Sequence, residues 1–550
     1  MKRRSKWGNA LFLGLAAMVF VIFVTACAGG GGDDGEAADG VITVNWGSEP
    51  PSLDPGLATD TTSANILNNI MDPLVKLEGE QLDPTPALAE SWEVDGTTVT
   101  FRLRSDGKWT NGDPVTANDF EYAWKRTLSP ELAADYAYQF YGIKGASEYN
   151  SCKSNCDAMA ESVGVNAVDD STLQVELTTP QPWFIQQVAH HSFLPVHQQT
   201  VEQFGERWTE AANIVTNGPF MLDRWEHNSR IDLAKWPEWR DADTVLLDRV
   251  NGRMISEGTT AVQAFEADEI DATVGGLPPE EMPRLKAEPT YYQSTSLATY
   301  YYGFNTENIP DVNQRRAMAL AIDRRSIIDN VSQADEVPAS GFTPQGMPGY
   351  DSINPASEYL PETANLERAQ ELMEQVESPV TDVTLVVNDA PGHREIAVAI
   401  QSMWSELGID TEIQQQEWAQ FLESLGPPPA KTTDVYRLGW VGDYVDAMNF
   451  LELWTCDSGN NNSNYCNEEY DALVEQARQT PDNAERYEIY GQLEELLFGP
   501  EGDMPFAPIY YYTNTALVDE SIKDTFGINL LDQIDLTEIE EGDAGEQEDT

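Results

Sequence analysis

Asp443 is the residue whose setting most constrains what this chain could do. It lies in the run Arg437-Leu438-Gly439-Trp440-Val441-Gly442-Asp443-Tyr444, where a strand-like stretch ends and a glycine-flanked loop begins. A carboxylate presented beside indole and phenol rings in a low-dielectric cleft suits an ammonium group. The same position also fits an ordinary loop aspartate making turn hydrogen bonds. Tyrosines recur in two triplets, Tyr300-Tyr301-Tyr302 and Tyr510-Tyr511-Tyr512, and Trp418 and Trp440 sit beside predicted strand ends. Such rings give large contact area for little lost side-chain entropy and often line pockets. Alternate members of each triplet serve equally well as core.

Signs of catalysis are weak. The chain has no G-x-S-x-G elbow, no H-E-x-x-H and no nucleotide-binding glycine loop. Its 93 Asp and Glu supply carboxylate pairs by chance alone. A secreted hydrolase acting on glycans remains the rival from another class, but it lacks a nucleophile–base pair. Apart from Cys27, four cysteines fall in two local pairs, Cys152/Cys156 and Cys456/Cys466, set among Asn, Ser and Asp. Short disulfide staples are the expected reading in an oxidising compartment. Zinc is the alternative for Cys-x3-Cys. With only five His and no finger spacing, no metal and no cofactor is expected.

These side chains need a scaffold, and the pattern supplies one. Strand-like patterns mark 41–46 and 97–103, which alternate, 173–177, 231–233, 245–250, 270–274, 383–388, which is of the buried type, 410–415, 433–440 and 509–513. Helical spacing marks 62–74, 117–128 (with Thr116 or Asn118 as a cap), 258–267, 313–330, 366–376, 393–407, 468–479 and 483–498. Strand–helix–strand runs mixed with hairpin turns argue for α/β lobes. The length calls for two or three of them.

The start of the chain gives an address. Lys2, Arg3, Arg4 and Lys6 precede an apolar run over 10–26 that ends Val24-Thr25-Ala26-Cys27. This is the layout of a secretory signal. Cys27 after small residues resembles a bacterial lipobox, in which the thiol is acylated. A plain signal peptide or a membrane anchor are the alternatives, and the run is short for a bilayer span. The formal charge of −61 opposes binding to nucleic acid or anionic membranes. Because the charge is spread along the chain, a salt-tolerant source is a reasonable expectation.

Eight ordered stretches then carry a family resemblance. They are SEPPSLDP (48–55), VTFRLRSDGKWTNGDPVTANDFEYAWKRTLSP (99–130), VGVNAVDDSTLQVEL (163–177), ANIVTNGPF (212–220), TYYYGFNT (299–306), RRAMALAID (315–323), RLGWVGDY (437–444) and APIYYYTN (507–514). From about residue 45 to 518 the chain resembles the extracellular solute-binding proteins of peptide ABC importers, the oligopeptide- and dipeptide-binding group. The resemblance implies a periplasmic-binding-protein-like α/β fold with two binding lobes around a hinge and a third, extra lobe. Lobe I would take 41–60, 186–297 and 514–538, lobe II 61–185 and lobe III 298–513. A signal peptide (1–26), a flexible linker (27–40) and an acidic disordered tail (539–550) would flank them.

The resemblance also implies a monomer that holds an extended peptide between the lobes and delivers it to a membrane permease, tethered outside the membrane through lipid on Cys27. Dipeptides, oligosaccharides or nickel complexes are the alternative solutes within the family. By resemblance Asp443 meets the peptide's free amine, and Trp440, Trp418, Tyr301 and Tyr511 line pockets. Thr59 and Thr61 run alongside the ligand. Arg437 and His393 match positions at the peptide's C-terminal end. For Arg437 an interlobe salt bridge is the competing reading, and for His393 a solvated helix start. The stretch 426–431 (GPPPAK) departs from the pattern, which leaves ligand length open.

Overall fold

The computed structural model describes residues 40–79, 81–274, 276–353, 357–425 and 433–540. The expected signal peptide (1–26), Cys27, the expected linker (27–40) up to residue 39, the stretch 426–431 and the expected tail beyond 540 lie outside the described residues. Three larger sheets and one hairpin organise the chain. The first sheet has the order Ala272–Thr273, Val41–Asn45, Arg249–Arg253, Arg230–Lys235, Phe220–Glu226. Val41–Asn45 runs parallel to both its neighbours, so distant segments complete this sheet. The second is antiparallel, ordered Ala89–Asp95, Thr98–Leu103, Thr172–Glu176, Val165–Asp169, with the hairpin Val75–Glu78/Asp83–Pro86 nearby in sequence. The third is six-stranded and mixed: Val337–Pro338, Phe506–Leu517, Tyr291–Phe304, Val435–Val441, Asp382–Asn388, Asp410–Gln416.

Two large apolar cores follow this division. One gathers Ile42, Trp46, Phe101, Trp124, Phe193 and Leu233 with Ala516 and Val518. The other gathers Tyr300, Phe342, Leu385, Trp404, Trp440 and Phe506, and it also takes in Tyr136, Tyr138 and Trp183 from the first half of the chain. The long strands Tyr291–Phe304 and Phe506–Leu517 pair antiparallel and reach both cores. Tyr292 and Ala516 pack at one end, Tyr300 and Tyr510 at the other. Register shifts interrupt this ribbon between Thr295 and Thr299 and between Tyr300 and Tyr301. Bulges add local twist and bend a strand pair.

Local chemistry sets the element ends. The helix Ala117–Thr127 starts at Thr116, whose backbone N–H donates to Asp119 at 2.7 Å. The helix expected over 62–74 is Thr61–Ile70, since Met71 is extended and Pro73 follows closely. The helix expected over 313–330 is broken. Val312–Leu320 ends, and Asp323 restarts the chain by accepting from Ser326 N at 2.8 Å. The strand expected over 509–513 extends to twelve residues.

The acidic tail expected from 539 starts too early. Ile539 is fully buried in the first core, and Glu540 N donates to Thr525 Oγ1 at 2.9 Å, so both residues belong to the fold. Cys152–Cys156 and Cys456–Cys466 are both disulfides. Among the described residues no helix is long and apolar enough to cross a membrane.

Candidate functional site

A cavity of about 380 Å³ is walled by both cores: Trp46, Thr59 and His190 on one side, Trp418, Trp440 and Tyr512 on the other. Asp443 forms part of its wall, just past the end of the strand Val435–Val441. Trp440 pairs with Thr299 in the sheet, and its indole donates to Asn449 Oδ1 at 3.1 Å. The same Asn449 oxygen accepts from Asp443 N at 2.9 Å, and Asn449 Nδ2 donates to Asp443 Oδ2 at 2.7 Å. One amide side chain thus fixes both the indole and the carboxylate.

The other donors to Asp443 come from far away in sequence. Tyr136 Oη donates to Oδ1 at 3.2 Å, Gln139 Nε2 to Oδ2 at 2.6 Å, and His190 Nε2 lies 3.0 Å from Oδ1. His190 Nδ1 accepts from Ser192 N at 3.4 Å, which leaves the Nε2–H for Asp443 even in a neutral ring. Burial alone would raise the Asp443 carboxyl. Electrostatic interaction with His190 and hydrogen bonds from His190 and Asn449 outweigh it and hold the group below its ordinary value. The site therefore keeps an ionised carboxylate in a place where a carboxylate is costly. A ligand cation gains from that arrangement.

Arg437 brings the opposite charge into the same cavity. Its guanidinium stands 4.4 Å over the Tyr300 ring, donates to Asn388 Oδ1 at 3.1 Å, and bonds the Tyr512 hydroxyl. Its buried Nε has no hydrogen-bond partner, and no carboxylate pairs with it among the described residues. His393, half-buried at the start of the helix His393–Ser405, faces Tyr300 Oη at 3.4 Å. Burial and then the Arg437 charge hold its ring well below the ordinary histidine value, so it is neutral.

Thr59 and Thr61 also line the cavity, on either side of Asp60. Asp60 caps the helix Thr61–Ile70 through Ser63 N at 3.0 Å; burial raises its carboxyl, while Ser63 and Trp418, the latter on the opposite wall, work against that.

Tyr301 and Tyr511 do not line the cavity, contrary to the sequence reading. Successive residues of a strand face opposite sides of its sheet. Tyr300 stacks on Tyr510 at 4.6 Å near the cavity. Tyr301 points the other way, into Phe342, Trp454 and Phe506. Tyr511 turns toward Gly341 O and Tyr350. Tyr510 and Tyr512 are the triplet members on the cavity wall. Tyr136, His190, Asn388 and Asn449 were not picked out from the sequence. The adjacent pair His190-His191, in a chain with five His, was the one available signal. Among the described residues no group of three or more His, Cys, Asp or Glu could hold a metal ion.

Two bodies joined by a paired ribbon, with a polar-ended cavity between them, define a binding protein that closes on a small solute. The chain belongs to family 5 of the bacterial extracellular solute-binding proteins: residues 83–462 match the family model described as "Bacterial extracellular solute-binding proteins, family 5 Middle". It is 34% identical to the oligopeptide-binding protein OppA of Bacillus subtilis, over 92% of this chain and 95% of that protein. It superposes on Haemophilus influenzae OppA in complex with the peptide RPPGFSPFR with a TM-score of 0.84 at 30% identity, covering 92% of this chain and 99% of that one. Against the Escherichia coli murein tripeptide binding protein MppA the TM-score is 0.82 at 30% identity, over 92% and 99% of the two chains. Against the unliganded open form of MppA it falls to 0.61 at the same identity, over 92% and 98%. Since identity and coverage barely differ, the lower score reflects the arrangement of the lobes. This structure is not in that open arrangement. The fold is periplasmic-binding-protein-like, with an extra lobe.

Proposed function

We propose that this protein is the peptide-binding receptor of an ABC importer. The observation that carries the reading is the pair of opposite charges in one cavity: an ionised Asp443 and a carboxylate-free Arg437. A peptide is a zwitterion with an amine at one end and a carboxylate at the other. Asp443 stands six positions after Arg437 along one strand and its loop, so the two lie at most about 20 Å apart, the span of an extended peptide of up to about six residues. Backbone groups of the ligand pair with polar walls such as Thr59, Thr61 and Asn388, as an added strand would.

The names of the relatives support a peptide ligand, and their family supports a receptor role and not an enzymatic one. On this reading lobes I (41–60, 186–297, 514–538) and III (298–513) close about the ribbon, lobe II (61–185) stands beside them, and acylated Cys27 moors a monomer outside the membrane near its permease. Closure shifts the population toward the form an importer recognises. The test is the ligand that co-purifies with the protein, read by mass spectrometry, together with calorimetric titration of free-amine peptides of two to six residues. Tight binding of a sugar or a metal chelate, with no peptide bound, would overturn the proposal.

A further inference from the structure

The loop between Cys456 and Cys466 touches the cavity and the opposite lobe at once. The disulfide closes ten residues of sequence separation. Within the loop, Asn461 Nδ2 donates to Thr455 O at 3.1 Å and to Tyr465 O at 2.7 Å. Ser463 is fully buried and bonds Tyr436 Oη at 2.9 Å and Pro505 O at 3.1 Å. The base of the loop is thus fixed to the lobe that carries Asp443. Its tip is aimed elsewhere. Asn460 and Asn462 line the cavity. A Cβ placed on Gly459 would stand 2.5 Å from Asp135 O and 2.7 Å from Asp135 Cα, so the two backbones are nearly in contact. The φ of Gly459 lies outside the left-handed region, and closeness alone demands glycine here.

Asp135 opens the short helix Asp135–Phe140, which sends Tyr136 and Gln139 onto the Asp443 carboxylate. Its Phe140 packs in the core of the other lobes. The Gly459–Asp135 seat therefore joins the two sides of the cleft beside the ammonium site. The arrangement of this structure, far nearer the other MppA structure than the open one, is the one in which such a seat is made.

We propose that the disulfide-closed loop 456–466 is the jaw on which the closed cleft seats, with Gly459 resting on Asp135 and with Asn460 and Asn462 as its ligand-facing side chains. The disulfide holds the tip in shape, and the seat lets Tyr136 and Gln139 reach Asp443. Ligand affinity depends on this contact even though Gly459 has no side chain to offer the ligand. The ligand-facing part rests on the receptor reading above, whereas the closure part does not.

The experiment compares the full chain with Gly459→Val, the Cys456→Ser/Cys466→Ser double variant and the Asn460→Ala/Asn462→Ala double variant. Small-angle scattering without added peptide reads closure, and calorimetry with trialanine, tetraalanine and pentaalanine reads affinity. Gly459→Val is expected to raise the radius of gyration and to weaken binding about tenfold, with an unchanged unfolding midpoint. The serine variant should move both readouts in the same direction. The alanine variant should weaken binding without changing the radius. If Gly459→Val unfolds, the serine variant decides the closure part, and an unchanged radius there overturns it. Unchanged affinity and radius in Gly459→Val also overturn the jaw. If the parent chain binds none of the peptides, the peptide reading fails, and the scattering comparison still decides the jaw.

Discussion

At the scale of single residues, Asp443 and His191 make separable predictions. Asp443 is buried and takes four side-chain donors, yet it remains an anion that a ligand amine can use. Replacing it with alanine removes a desolvated charge partner, which should weaken binding of free-amine peptides by ~2–5 kcal/mol. Titration of Asp443→Ala beside N-acetylated peptides on the parent checks this. Both changes delete the same contact, so acetylation should cost the variant nothing further. His191 behaves differently. Burial, and then the neighbouring His190 charge, push its ring down to about 3 from an ordinary 6.5, and Nε2 lies 3.0 Å from Ala58 O. Between those values the unfolded chain binds a proton at this site that the native protein does not. Stability is therefore complete above pH 6.5 and falls as the pH drops toward 3. The loss from this group is on the order of 5 kcal/mol at the bottom of the window. Urea unfolding of the parent and His191→Gln at pH 7, 5 and 4 should show the gap between them changing in the parent's disfavour as the pH falls. A constant gap would show that His191 does not titrate this way.

At the scale of elements, the decisive contacts are those that fix a loop or helix to the cavity wall. The helix Asn483–Phe498 carries Arg486, almost wholly buried, whose Nη2 lies 3.0 Å from Asp446 Oδ2, three residues beyond Asp443. Tyr490 on the next turn donates to Asp446 Oδ1 at 2.7 Å. Arg486→Met fills much of the space but strands a buried carboxylate, so it should cost about 3–5 kcal/mol in chemical denaturation. Arg486→Met combined with Asp446→Asn should recover most of that loss. Elements of this kind were legible in part. Alternation placed the strands Val41–Asn45 and Thr98–Leu103, and a continuous apolar run placed Asp382–Asn388, to within a residue or two, because the first two bury one face and the third buries both along most of its length. The break at Asp323 was missed because a capping aspartate inside an apolar-periodic run resembles an exposed helical position until Ser326 N is seen to donate to it. The face of each tyrosine triplet was missed for a different reason: alternation runs unbroken through both triplets, but period two does not say which phase faces the cavity, and only the structure shows Tyr510 and Tyr512 there and Tyr301 packed on Phe342. Asp443 was legible from its loop. Tyr136 was not, being 307 residues away along the chain.

At the scale of the whole molecule, charge is the property that packing does not explain. The chain carries 93 acidic and 32 basic residues, for a net −61. Many of the basic residues are already paired, some at partly buried positions such as Arg126–Asp54 at 2.5 Å and Arg478–Glu452 at 2.8 Å. The surplus acids repel one another in the compact state more than in the expanded one, so folding works against its own field. Salt shortens the reach of that repulsion from about 10 Å at 0.1 M to about 3 Å at 1 M. It also weakens the exposed ion pairs, but each of these is worth only ~0–1 kcal/mol, and the acids outnumber the bases nearly threefold. Relief of repulsion should win. Raising KCl from about 0.05 M to about 1 M should therefore raise the midpoint of urea unfolding, with most of the gain at the low end, where screening changes the reach most. Potassium chloride is the suitable salt for the test, because sulfate would add its own strengthening of apolar burial. A midpoint that falls with KCl would mean that the ion pairs outweigh the surplus charge. The same field acts on the ligand: association of a cationic peptide should be faster at low salt than that of an anionic one of equal length, and the difference should vanish at 1 M as the potential is screened.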